Sequence, residues 1–179
     1  MVGVGGRGGP MKRLLLLRHG KSDWQNPEQP DNERPLNARG QRAAALMGAY
    51  LRQRGMIPDL ILSSPAVRTR ETVALVVEAL QREVPVQFHA DLYMADARTI
   101  ARTVRAAPDE ARTVLLVGHN PGMQLAALKL SASDAAGRRS EIEDKFPTAA
   151  LAVIDFDAAR WADANAGDLV AFDSPKALV

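Results

Sequence analysis

The chain contains no cysteine, which removes disulfides, thiolate nucleophiles and cysteine-ligated zinc together and fits a reducing compartment. Long apolar runs are also missing. None approaches the ~18 residues that span a bilayer, and Leu14–Leu17, the longest early one, is too short for a signal-peptide core of about 7–15 residues. Charge of one sign is scarce: 23 Lys and Arg against 21 Asp and Glu leave a net charge of +2, so no polycationic face for nucleic acid is expected. Aromatic residues make up only 4%, leaving few obvious interface anchors. The absences describe a soluble, cytoplasmic protein with no nucleic-acid or membrane partner. What remains, 46% apolar and 25% charged residues over a length of 179, is ordinary for a globular chain and enough for one buried core.

The first ten residues are rich in glycine, and Gly3-Val4-Gly5-Gly6-Arg7-Gly8 matches the dinucleotide pattern GxGxxG. That motif needs a strand before it and a helix after it, so that a pyrophosphate meets a helix N-terminus. Here the glycines precede the first strand, so residues 1–10 read as a flexible tail and residues 11–179 as a single domain. The folded part opens on Lys12–Arg18, whose four consecutive leucines suit a strand buried on both faces.

Strands and helices then alternate. Residues 21–35, polar with three prolines, form a loop. Asn37 caps a helix that Gly55 ends. Asp59–Ser64 is a strand, followed from Pro65 by a helix with Val67, Val73, Val76, Val77 and Leu80 along one stripe. Val84–His89 is an edge strand, and Asp96 caps a helix reaching Ala107. Thr113–Gly118 is a strand leading into a helix from Pro121 to Leu130. Residues 131–147 read as loop, Ala149–Phe156 as a fifth strand, and Leu169–Phe172 as a sixth near an edge. This alternation argues for an α/β domain with a mostly parallel sheet covered by helices on both faces.

Three polar clusters fall at C-terminal ends of predicted strands: Arg18-His19-Gly20, Ser63-Ser64-Pro65 with Arg68 one turn on, and Gly118-His119-Asn120-Pro121-Gly122. In an open α/β sheet this is the edge where ligands bind. The clusters hold two of the three histidines; His89, at the end of the edge strand, reads as a surface residue. Arginine's planar fork matches phosphate oxygens. A neutral imidazole is a competent nucleophile near pH 7, nearby cations keep it deprotonated, and one ring nitrogen must be hydrogen-bonded so that the other can attack. Gly20 lets the backbone approach closely beside that ring. The acids lack metal-site spacing, and two arginines would repel a cation, so neither a metal nor a cofactor is expected. No GxxxxGK[ST] loop and no GxSxG elbow is present.

Leu-Leu-Arg18-His19-Gly20, the segment Ser64-Pro65-Ala66-Val67-Arg68-Thr69-Arg70-Glu71-Thr72 (S-x-x-x-R-x-x-x-T), and Val117-Gly118-His119-Asn120-Pro121-Gly122 together resemble the histidine phosphatase superfamily, which also holds the cofactor-dependent phosphoglycerate mutases. Order and spacing agree across residues 12–156. Arg18-His19-Gly20-Lys21-Ser22-Asp23-Trp24, Asp91-Leu92-Tyr93 with Ala95, and Phe146-Pro147-Thr148 resemble the small phosphohistidine phosphatases of the SixA type. The resemblance implies a phosphoglycerate mutase-like three-layer αβα sandwich. It also implies a phosphorylated nucleophile at His19 and a phosphate held by Arg18, Arg68 and His119, with Gly20 and Asn120 as further contacts. Lys21 and Gln25 depart from the mutase pattern. The counterpart of the general-acid glutamate used by mutases is Asp91, with Asp23 a second carboxylate. A phosphohistidine leaving group needs less help from an acid than an alkoxide does.

The expected activity is therefore metal-independent removal of phosphate, most naturally from phosphohistidine in proteins, through a covalent phosphohistidine on His19. A broad-specificity small-molecule phosphomonoesterase and a non-catalytic phosphate-binding signalling module are the alternatives.

Overall fold

In a computed structural model describing residues 11–179, seven strands form one sheet in the order β3-β2-β4-β1-β6-β7-β5. The strands are β1 (Met11–Arg18), β2 (Leu60–Ser63), β3 (Val86–Phe88), β4 (Thr113–Gly118), β5 (Ser131–Ser133), β6 (Leu151–Asp157) and β7 (Gly167–Asp173). The helices are α1 (Ala38–Gln53), α2 (Val67–Leu80), α3 (Ala97–Arg105), α4 (Gly122–Leu130) and α5 (Arg139–Asp144). The glycine-rich segment 1–10 lies outside the described residues.

The leucine run of β1 shows why this chain folds in three layers. Successive side chains of a strand point to opposite faces. Leu14 and Leu16 join one buried cluster, with Ile100 and Val104 of α3 and Met123 and Leu130 of α4. Leu15 and Leu17 join the other, with Met47 and Leu51 of α1 and Val73 and Val76 of α2. All four leucines are fully buried, each contributing roughly 1.5–3 kcal/mol of transfer free energy. A strand apolar on both faces must be central, and β1 lies between β4 and β6.

β2, β4 and β1 run parallel, Ser63 pairing in register with Val117 and Arg18 with Gly118. Their C-terminal ends therefore emerge side by side, bringing the three polar clusters to one edge. β6 runs antiparallel to β1 and begins at that same edge, where Leu151 pairs with Leu17. Two helix caps read from sequence are present: Asn37 Oδ1 accepts from Gly40 N at 2.8 Å and Asp96 Oδ1 from Thr99 N at 2.8 Å.

One local expectation is corrected: the 131–147 segment carries β5 and α5 rather than loop alone. β7 lies near an edge as expected, with the short β5 pairing on its outer side.

Candidate active site

His19 continues β1 by one residue, its N–H donating to the Gly118 carbonyl at 3.1 Å. Its Nδ1 lies 2.6 Å from the Gly20 carbonyl. A carbonyl can only accept, so Nδ1 carries the proton and Nε2 presents its lone pair. Gly20 is itself held: its N–H donates to Thr72 Oγ1 at 3.1 Å, and that hydroxyl donates to the Arg68 carbonyl at 2.7 Å. A Cβ at Gly20 would stand 2.6 Å from the Gly40 carbonyl oxygen. The close approach that requires glycine is therefore between the strand end and α1.

Arg68, in the first turn of α2, is 4% exposed. Its Nε donates toward His19 Nε2 at 3.4 Å, and its Nη2 lies 3.2 Å from His119 Nδ1. Because guanidinium only donates, His119 Nδ1 is the acceptor; Nε2 then donates to Ser64 Oγ at 2.8 Å. Two imidazole lone pairs and one guanidinium edge thus converge, with the rings 5.2 Å apart. Both histidines are buried. Burial above all, reinforced by the charges of Arg68 and Arg18, lowers His19 to about 4 against the opposing Gly20 hydrogen bond. Burial, with His19 and Arg68 adding to it, lowers His119 to about 3. Both rings are neutral at neutral pH.

Arg18 donates from Nη1 to the Phe146 carbonyl at 2.9 Å, and its Nε is buried without a hydrogen-bond partner among the described residues. Burial, then the charge of Arg68, lowers its affinity for a proton. Asn120 uses its amide on the same Phe146 carbonyl at 3.0 Å, while its Oδ1 accepts from Gln124 N at 3.2 Å. Asn120 thus fastens the segment before β6 to the start of α4. Two guanidinium groups and two neutral imidazoles make a compact cationic site suited to an anion with several oxygens. Among the described residues no group of three or more acidic or histidine side chains is arranged to hold a metal ion.

The carboxylates are arranged differently from the sequence expectation. Asp91 faces Arg102 at 3.4 Å, both side chains more than half exposed. Asp23 Oδ1 accepts from Gln25 N within its own loop. The carboxylate beside the histidines and Arg68 is Asp31, which opens a 3-10 turn in the proline-rich loop. Arg68 donates to its carbonyl at 2.7 Å and to its Oδ2 at 3.0 Å, and the Tyr93 hydroxyl donates to the same Oδ2. Tyr93 also stands edge-on to His119, with ring centroids 5.4 Å apart. Asp31 follows no strand and carries no local pattern that would single it out. Tyr93 and Ser64 lie in segments already singled out, without a role assigned to them.

The family model of the histidine phosphatase superfamily (branch 1) matches residues 14–97. An uncharacterized protein of Mycobacterium leprae is 37% identical over 169 residues, covering 89% of this chain and 100% of that protein. Among solved structures, a candidate phosphohistidine phosphatase SixA from Agrobacterium tumefaciens is similar with a TM-score of 0.75 at 30% identity, covering 92% of this chain and 98% of that one. Another, from Nakamurella multipartitia, gives a TM-score of 0.78 at 30% identity over 92% and 96%. With its fold, its motifs and these likenesses in agreement, the chain belongs to the histidine phosphatase superfamily and is a phosphatase.

Proposed function

We propose that this phosphatase works through a covalent phosphohistidine on His19 and that its substrates are phosphohistidine side chains of proteins. The observation that carries the nucleophile is the neutral His19, its Nδ1 proton held by the Gly20 carbonyl and its Nε2 aimed at the Arg68 guanidinium. A phosphoryl group seated among Arg18, Arg68 and His119 lies in front of that lone pair. His19 attacks in line; the arginines neutralise charge on the phosphoryl oxygens. The negative charge of the substrate offsets the burial penalty on His119, whose Nδ1 then takes a proton from solvent as the anion binds and donates it in a hydrogen bond to a phosphoryl oxygen. Water hydrolyses the N–P bond in a second step.

A protein substrate is supported by the mouth of the site, where Met94, beside Arg68 at 3.8 Å, is half exposed. It is also supported by the likeness to candidate SixA phosphatases. The test is a parallel assay, with chelator present, of wild type and His19→Ala on a phosphohistidine peptide and on para-nitrophenyl phosphate. The proposal expects wild type to release phosphate from both, faster from the peptide, and the variant from neither. Preference for the small ester would move the assignment to a broad phosphomonoesterase. Phosphate binding without turnover would leave only a binding module.

A further inference from the structure

Arg68 offers two hydrogen-bonding edges, and they face different things. The Nε/Nη2 edge faces Nε2 of His19 and Nδ1 of His119. The Nη1/Nη2 edge is taken by Asp31, through its carbonyl and its Oδ2. A phosphoryl group on the first edge, where His19 attacks, is therefore the neighbour of the Asp31 carboxylate through the shared Nη2. Asp31 Oδ2 is occupied by Arg68 and Tyr93, and Oδ1 has no hydrogen bond to the described residues.

The loop that brings this carboxylate there is built, not draped. Its ends are tied by Asp23 N to the Pro35 carbonyl at 2.8 Å and Asn37 N to the Lys21 carbonyl at 2.9 Å. Leu36 N donates to Glu71 Oε2 of α2 at 2.7 Å. Buried Arg34 donates to the Asn26 carbonyl at 3.0 Å and lies 4.0 Å from the Trp24 ring centroid.

We infer that Asp31 is the acid–base carboxylate of the reaction, giving the leaving group its proton and then taking one from the attacking water. This rests on the phosphatase reading above. On their own, Tyr93 foremost and Arg68 hold the Asp31 carboxyl below its usual value. A phosphoryl group on the same guanidinium opposes that, since two adjacent anions favour sharing one proton. The proton arrives with the substrate, because a phosphate monoester has a second pKa of about 6 and part of it binds as the monoanion. The substrate passes that proton to Asp31. As the His19 Nε2–P bond forms and the bond from phosphorus to the ester oxygen breaks, Asp31 returns the proton to that oxygen and an alcohol departs. Asp31, again a carboxylate, then takes a proton from water as its oxygen attacks phosphorus and the N–P bond breaks. Asp31 passes that proton to the departing phosphate, so monoanionic inorganic phosphate, neutral His19 and an Asp31 carboxylate result. Asp91, paired with Arg102, makes none of these contacts.

The test compares kcat/KM on phenyl phosphate, whose leaving group needs a proton, and on para-nitrophenyl phosphate, whose leaving group does not. This parameter covers the steps through leaving-group release, so the shared hydrolysis step does not enter. In Asp31→Asn the ratio of phenyl to para-nitrophenyl phosphate should fall about 100-fold, the lower end of general-acid effects. Asp91→Asn serves as the companion variant, and thermal melting verifies folding of both. An Asp31→Asn ratio equal to that of wild type, or a ratio that falls in Asp91→Asn instead, overturns the assignment. A wild type without His19-dependent turnover would overturn the phosphatase reading itself, a result distinct from an unchanged ratio.

Discussion

Lowering the pH from 7 to 5 should destabilise this fold through its two site histidines. His19 and His119 are buried neutral and held near about 4 and about 3, whereas an exposed imidazole titrates at 6.5. The unfolded chain therefore takes up protons below pH 6.5 that the folded chain refuses, and stability falls as pH falls. Between pH 6.5 and 5 each histidine contributes a slope near 1.4 kcal/mol per pH unit, so the loss is about 2 kcal/mol each and about 4 kcal/mol for both. Against a typical total of about 5–15 kcal/mol this is a large fraction. Asp31, Asp96 and Asp134, all held below the ordinary 3.8, add their own loss only at lower pH, which leaves the window to the histidines. Urea unfolding at the two pH values reads the difference. Saturating inorganic phosphate should shrink it, because an anion between the rings lets them accept protons in the folded state. A loss under about 1 kcal/mol, or one unchanged in a His19→Asn/His119→Asn double variant, would refute the reasoning.

Other consequences follow from the same geometry. Gly20→Ala places a Cβ 2.6 Å from the Gly40 carbonyl oxygen, so urea unfolding should show a loss of about 1–3 kcal/mol. Displacement of the carbonyl that orients His19 should also cut kcat by about 10- to 100-fold in the para-nitrophenyl phosphate assay. Arg68→Ala should lower kcat by about 100- to 1,000-fold. Arg68→Lys should recover little of it, since an ammonium group cannot span His19, His119 and Asp31 as the guanidinium does.

Much of this architecture was legible because burial on two faces leaves an unmistakable trace. Leu14–Leu17 and Val114–Val117 could only be central strands, and the polar residues that follow them had to share an edge. The caps at Asn37 and Asp96 were equally plain. β5 was invisible because Ser131-Ala132-Ser133 has no apolar pattern and is held by polar contacts, its pairing to β7 and the Arg139 guanidinium on the Ser131 carbonyl. α5 buries only Ile142, too little for a helical stripe. Within the site, His19, Arg68 and His119 could be grouped because each follows a strand end closely. Asp31 could not: it meets Tyr93 across 62 residues, and its position depends on Arg34 and Glu71 shaping a loop. The resemblance drew the carboxylate role to Asp91, yet the path of the chain turns that side chain to Arg102.

The central claim is that phosphate passes through His19, and the most direct measurement is rapid quenching of a turnover with radiolabelled phosphohistidine peptide, followed by peptide mapping. The account predicts an acid-labile, alkali-stable label on the peptide containing His19, formed and lost at rates matching turnover and absent from His19→Ala. Turnover with no such label, or with label on another residue, would contradict it.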